Sequence, residues 1–135
     1  RKVPIIAKIE RAAALEYIDD IVSAADAVMI ARGDLGNEVP LEEIPFIERN
    51  LILRCKVAKK PVIVATQMMT SMMESSAPSR ADVTDVAYAI LLGADAVMLS
   101  EETAIGAHPL EVIKVMERIV KAAEKHLGRV AVNSL

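Results

Sequence analysis

Aromatic side chains are nearly missing from this sequence: two tyrosines (Tyr17, Tyr88), one phenylalanine (Phe46) and no tryptophan, 2% of 135 residues. So few rings leave almost nothing on which nucleobases could stack. A net charge of −3 also opposes a surface that neutralises many phosphates, so no nucleic-acid partner is expected. Cysteine is equally scarce. Cys55 alone cannot close an internal disulfide, which agrees with a reducing, cytoplasmic setting; within Leu51-Ile52-Leu53-Arg54-Cys55 it reads as a small apolar packing residue. Long apolar runs are absent too, none approaching the ~20 residues that cross a bilayer. Arg1-Lys2 leads into only a few apolar positions before Lys8 and Glu10, so neither a membrane span nor a secretory leader is expected. The five glycines form neither GxGxxG nor GxxxxGK[ST].

What is present is apolar and evenly spread. Hydrophobic residues make up 53% and charged residues 26%, the balance of a globular chain long enough for one domain with a real core. Four short, partly β-branched runs read as strands: Val3 to Ile9, Ala27 to Ala31, Pro61 to Thr66 and Ala96 to Ser100. Helical spacing fills the intervals. Its apolar lines are Ala14, Leu15, Ile18, Ile21, Val22 and Ala25; Ile47, Leu51, Cys55 and Ala58; Val83, Val86, Ala87, Ile90 and Leu91, ending at Gly93; and, after Pro109, Val112, Ile113, Met116, Ile119, Val120 and Ala123. Strand and helix alternate four times, which predicts an α/β chain of four βα units on a parallel sheet. The runs are apolar throughout, as expected where helices cover one face and a core fills the other.

A weak repeat supports this layout. "AADAVMI" at 24–30 returns as "GADAVML" at 93–99, 69 positions later, or two units of about 34 residues. A (β/α)8 barrel of about 250 residues implies about 31 per unit, so four units make half a barrel. An open doubly wound sheet fits the pattern nearly as well, although no glycine-rich phosphate loop follows the first strand.

In parallel α/β folds chemistry collects at the carboxyl ends of the strands. Those ends read Lys8-Ile9-Glu10, Arg32-Gly33-Asp34, Thr66-Gln67 and Ser100-Glu101-Glu102-Thr103. Alternation puts Lys8 and Glu10 on one side of their strand. Two carboxylates on neighbouring strand ends, Glu10 and Asp34, suit Mg²⁺ or Mn²⁺, and the lysine could neutralise an anionic substrate or a phosphoryl group in transit. The plainer alternative is an internal ion pair between Lys8 and Glu10 or Asp34. Arg32-Gly33-Asp34 also spells an adhesion tripeptide, but directly behind a buried strand Gly33 better serves a tight turn that brings its N–H against an anion. Met68, Met69, Met72 and Met73 read as gap-fillers under a loop.

"IIAKIE" (5–10), "VMIARGDLGNEVP" (28–40), "KPVIVATQMMTSM" (60–72) and "PSRADVTDVAYAILLGADAVMLSEETAIGAHP" (78–109) together resemble the pyruvate kinase family, in order and in spacing, from residue 1 to about 126. The resemblance implies strands five to eight of its catalytic barrel, a half-barrel domain over 1–128 and a tail over 129–135. It implies phosphoryl transfer from phosphoenolpyruvate to ADP, giving pyruvate and ATP in the complete enzyme, and a chain that is inactive alone. By position, Lys8 resembles the lysine that stabilises the moving phosphoryl group, and Glu10 and Asp34 resemble the ligands of Mg²⁺ or Mn²⁺. Gly33 and Asp34 resemble residues offering N–H groups to the substrate carboxylate, with Thr66 offering its hydroxyl. Ser100 and Glu102 resemble members of a proton-delivery network, and Arg80 an arginine near a subunit contact, implying a homo-oligomer. The family's K⁺ ligands would lie outside this chain. Departures are Glu10-Arg11-Ala12, where most members read Glu-Asn, and Ser100-Glu101-Glu102, where Glu101 replaces a glycine. Competing readings are a non-catalytic half-barrel that self-associates and an Mg-dependent aldolase-type barrel acting on pyruvate or oxaloacetate, which the "ATQMM…PSRAD…DVA" run disfavours.

Overall fold

Each apolar run yields a strand; the second fills its run and the other three are shorter than theirs. In the computed structural model, which describes residues 2–132 and side chains through Leu127, the strands are β1 (Ile6–Ile9), β2 (Ala27–Ala31), β3 (Val62–Ala65) and β4 (Ala96–Met98). They form one parallel sheet in the order β1-β2-β3-β4. The trimming has local causes. Pro4 lacks an N–H and restricts Val3 before it, so β1 starts late. Pro61 contributes only its carbonyl, which accepts from Val28 N at 2.9 Å. Thr66 leaves the extended region altogether, at φ +68.

The repeat has a physical meaning in the sheet. Asp26, just before β2, accepts from Ile5 N at 2.8 Å through its carboxylate and donates its own N–H to Ile5 O at 2.9 Å. Asp95, just before β4, repeats both bonds with Val62, each at 2.9 Å. Each aspartate therefore staples the start of one strand to its neighbour. Lys2 pairs with Asp26 and Lys56 with Asp95. Both carboxyl groups lie below the ordinary aspartate value. At Asp26 the Ile5 N–H is the main cause; at Asp95 the Lys56 and Val62 bonds outweigh the opposing effect of burial.

Two compact units divide the chain. The first, residues through Thr66 with Leu92–Met98, contains all four strands. Its helices are α1 (Ala12–Glu16), α2 (Ile18–Ala24), the short α3 (Arg32–Leu35) and α4 (Ile44–Val57), the last entered through a 3₁₀ turn at Leu41–Glu43. The first expected helix is thus two, broken at Tyr17 (φ −114, ψ 20), whose N–H turns back to Ala14 O. Strand register gathers Val28, Val62, Ile30, Val64 and Ile9 on one face, all 0–1% exposed, and α4 packs against β2 and β3. The other face carries Lys8, Met29 and Ile63 and stays half open in mid-strand, closing only at Ala31 and Ala65. A core on both faces, expected from the unbroken apolar runs, is therefore present on one. Cys55 is buried, and burial pushes its thiol up.

The second unit, Gln67–Leu91 and Leu99 onward, holds a 3₁₀ turn at Thr70–Met73, nearly all of α5 (Arg80–Leu92), the short α6 (Glu101–Ala104) and α7 (Pro109–Val132). Met68, Met69 and Met72 are fully buried, filling space as expected of flexible thioethers. The buried line of α5 is Asp82, Val86, Ala89 and Ile90 rather than one through Val83 and Leu91, which are 38% and 49% exposed. Asp82 is drawn inward because it caps its own helix. It accepts from Ser79 N at 2.8 Å and from the Ser71 hydroxyl, while Asp82 N donates to Ser79 Oγ at 3.1 Å. These bonds outweigh burial and lower its pKa. Residues 133–135, the end of the expected tail, lie outside the described residues. No helix among the described residues is long and apolar enough to cross a membrane.

Candidate functional site

Lys8 leaves β1 on the half-open face, Glu10 follows the strand, and Asp34 lies in α3 just past β2. The Lys8 ammonium touches both carboxylates, Asp34 Oδ2 at 3.2 Å and Glu10 Oε2 more closely. Hydrogen bonding to Glu10, then to Asp34, holds the lysine above its ordinary pKa. The ion pair and the cation site weighed from sequence thus fall on the same three groups: two carboxylates converge on one positive charge. Among the described residues no cluster of three His, Cys, Asp or Glu could hold a metal. Glu10 and Asp34 still fit a hard cation that takes one or two carboxylates and draws further oxygens from water and substrate.

Gly33 and Thr66 meet in the same unit. Gly33 N donates to Thr66 Oγ1 at 2.7 Å. Thr66 and Gln67 are consecutive non-glycine residues at φ +68 and +55. A β-branched residue there is unusual, and each such position costs on the order of 1–3 kcal/mol.

What holds Thr66 was not identified from sequence. Arg32 and Glu48 are 7% and 2% exposed. Arg32 Nη1 donates to Glu48 Oε2 at 3.1 Å, and Nη2 donates to the Thr66 carbonyl at 3.1 Å. The signal was there: Glu48 interrupts the apolar face of α4 that continues through Leu51, Ile52 and Cys55. A charge on such a stripe requires an opposite charge beside it. Nearby, Glu38 pairs with Arg11 and accepts from Ala12 N at 2.7 Å, tying the turn after β1 to the loop after β2.

Ser100 and Glu102 form their own cluster in the second unit. Glu102 is 2% exposed and accepts from Met69 N at 3.1 Å and Ser100 N at 2.9 Å. Ser100 Oγ is buried and makes no hydrogen bond. Arg80 opens α5 at an exposed position.

A parallel α/β sheet with a lysine and two carboxylates gathered at strand ends has these polar groups where parallel α/β enzymes place their chemistry. Residues 1–113 match the barrel domain of pyruvate kinase, so the chain belongs to the pyruvate kinase family. Pyruvate kinase of Thermotoga maritima is 51% identical over 127 residues, 94% of this chain and 27% of that protein. One from Agrobacterium vitis is 57% identical over 122 residues, 90% and 26% respectively. A crystal structure of a pyruvate kinase from Cryptosporidium parvum superposes with a TM-score of 0.90 at 48% identity, over 92% of this chain and 25% of that one. The chain thus spans about a quarter of the length of these relatives.

Proposed function

We propose that this chain is the second half, strands five to eight, of a pyruvate kinase barrel, occupying residues 1–128. In the complete enzyme it would transfer the phosphoryl group of phosphoenolpyruvate to ADP, giving pyruvate and ATP in the cytoplasm. The observation that carries the reading is the Lys8 ammonium held between Glu10 and Asp34 at the carboxyl ends of adjacent parallel strands. Glu10 and Asp34 are the residues that would hold Mg²⁺ or Mn²⁺, which when bound supplies positive charge for substrate oxygens. Lys8 stays protonated and places a fixed cation where negative charge on a transferring phosphoryl group is stabilised.

Gly33, Asp34 and Thr66 are the carboxylate-binding residues of this reading. The Thr66 oxygen now occupies the Gly33 N–H, the position an anionic oxygen of the substrate would take, and its own O–H remains a donor. In the second unit, Glu102 fixes the Ser100 backbone, and the Ser100 hydroxyl, with no internal acceptor, is the group suited to pass a proton to an enolate. Arg80, exposed, suits a contact in a homo-oligomer. The family's K⁺ ligands are assigned to the portion of the relatives this chain does not span.

Mn²⁺ titration followed by water-proton relaxation tests the core of this reading. Binding is expected in the chain and lost in Glu10→Gln/Asp34→Asn; unchanged binding in that double variant overturns the metal assignment.

A further inference from the structure

The buried guanidinium of Arg32 reaches two different elements, and one of those contacts leads to the candidate site. One arm reaches Glu48 on α4 and the other the carbonyl of Thr66 at the end of β3. The next residue after Arg32, Gly33, returns a hydrogen bond from its N–H to the hydroxyl of that same Thr66, and Asp34 follows. Side chain and backbone of Arg32-Gly33 therefore grip Thr66 at two points and close a ring across the carboxyl ends of β2 and β3. Thr66 sits at φ +68 inside this ring. A left-handed threonine persists only where its surroundings over-determine it, and the grip from Arg32 supplies that constraint.

We infer that Arg32 is a positioning residue for the site: neutralised by Glu48, it fixes Thr66, and through Thr66 the Gly33–Asp34 turn that presents the Asp34 carboxylate to a cation. This rests on the reading of Glu10 and Asp34 as cation ligands. A planar guanidinium suits the task because its donors diverge at a fixed angle, one to a carboxylate and one to a carbonyl. A lysine offers a point charge that can satisfy Glu48 without spanning to Thr66. The arm to the Thr66 carbonyl is the contact that ties this ion pair to the Gly33–Asp34 turn.

The test compares the 135-residue chain with Arg32→Lys and with Arg32→Met/Glu48→Leu. The double variant removes both charges together, so no lone charge remains buried. If it does not fold, Arg32→Lys still keeps a counter-ion for Glu48. Amide hydrogen exchange by NMR and Mn²⁺ titration are the readouts, with Ile30 and Val64 amides in the sheet reporting that the fold is retained. The expected result is loss of protection at the Gly33 amide and Mn²⁺ binding about tenfold weaker in both variants, the loss usual for a residue that supports a metal ligand. Protected Gly33 amides in folded variants overturn the inference. So does lost Gly33 protection with unchanged Mn²⁺ affinity, which would leave Arg32 a role in the fold only. Failure of the metal reading looks different: the unaltered chain binds no Mn²⁺. The grip on Thr66 is then judged on Gly33 exchange alone, loss supporting it and retention overturning it.

Discussion

Lys8 is the residue on which both carboxylates of the candidate site converge, and its roles pull in opposite directions. As a fixed cation it would act on a moving phosphoryl group, an interaction strongest in the transition state. As the present partner of Glu10 and Asp34 it competes with any cation for the same oxygens. Lys8→Met in a complete enzyme containing this segment should therefore lower kcat by about 10²–10⁴ while Mn²⁺ binds no more weakly than before. A drop in turnover of less than about tenfold would contradict the transition-state role. At this scale the sequence was informative where chemistry coincides with a strand end. Lys8, Glu10, Gly33, Asp34 and Thr66 all lie at or just past the ends of apolar runs and do meet in one unit. Arg32 and Glu48 escaped because their burial depends on each other across 16 positions and on a third residue, Thr66. Glu48 on the apolar stripe of α4 calls for an opposite charge, but nothing along the chain points to Arg32 as that charge.

At the scale of elements, Asp26 and Asp95 show how a weak sequence repeat becomes a repeated device. Both end the approach to a strand, and both grip the backbone of the preceding strand. Asp95→Ala leaves the Val62 N–H without its acceptor and should lower unfolding stability by about 1 kcal/mol, read from urea midpoints at pH 7. The sign with pH follows from the depressed pKa. A carboxylate held below its ordinary value of 3.8 stabilises the fold above that pH and loses its contribution as pH falls through the lower folded value. The gap between wild type and Asp95→Asn should therefore narrow below about pH 4; a constant gap between pH 7 and pH 3 would refute this linkage. The four strands and the four main helical segments between them were legible because apolar runs and helical spacing report burial directly, whereas the one-turn helices α3 and α6 carry no such periodicity. Ends were not, since they depend on Pro4, Pro61 and the turned-over Thr66, and the break at Tyr17 has no proline or glycine to announce it.

For the whole molecule, the share of its relatives that the chain spans sets two expectations. The chain covers 25–27% of those proteins, so in the half-barrel reading the other half of the barrel around the site is not supplied by this chain. No pyruvate formation above a no-protein control is expected in a coupled lactate assay; a rate proportional to chain concentration would contradict the assignment of ADP and K⁺ sites to the remainder. The second expectation concerns the sheet. β1 pairs only with β2 and β4 only with β3, so each outer strand has one edge without a strand neighbour among the described residues. The β1 side is also apolar, with Val3, Ile5 and Ile6 at 73%, 66% and 50% exposed. An unpaired edge beside exposed β-branched side chains is a template for another strand, and the simplest closed arrangement of identical chains is a two-fold dimer. Sedimentation equilibrium should give a mass above the 14.6 kDa of one chain at high micromolar concentration. Ile6→Lys places a charge on that edge, which natural sheets use to prevent such pairing, and should shift the equilibrium toward monomer without changing the far-ultraviolet dichroism. A monomer mass for the unaltered chain across the whole range would show that the β1 edge does not recruit a second copy.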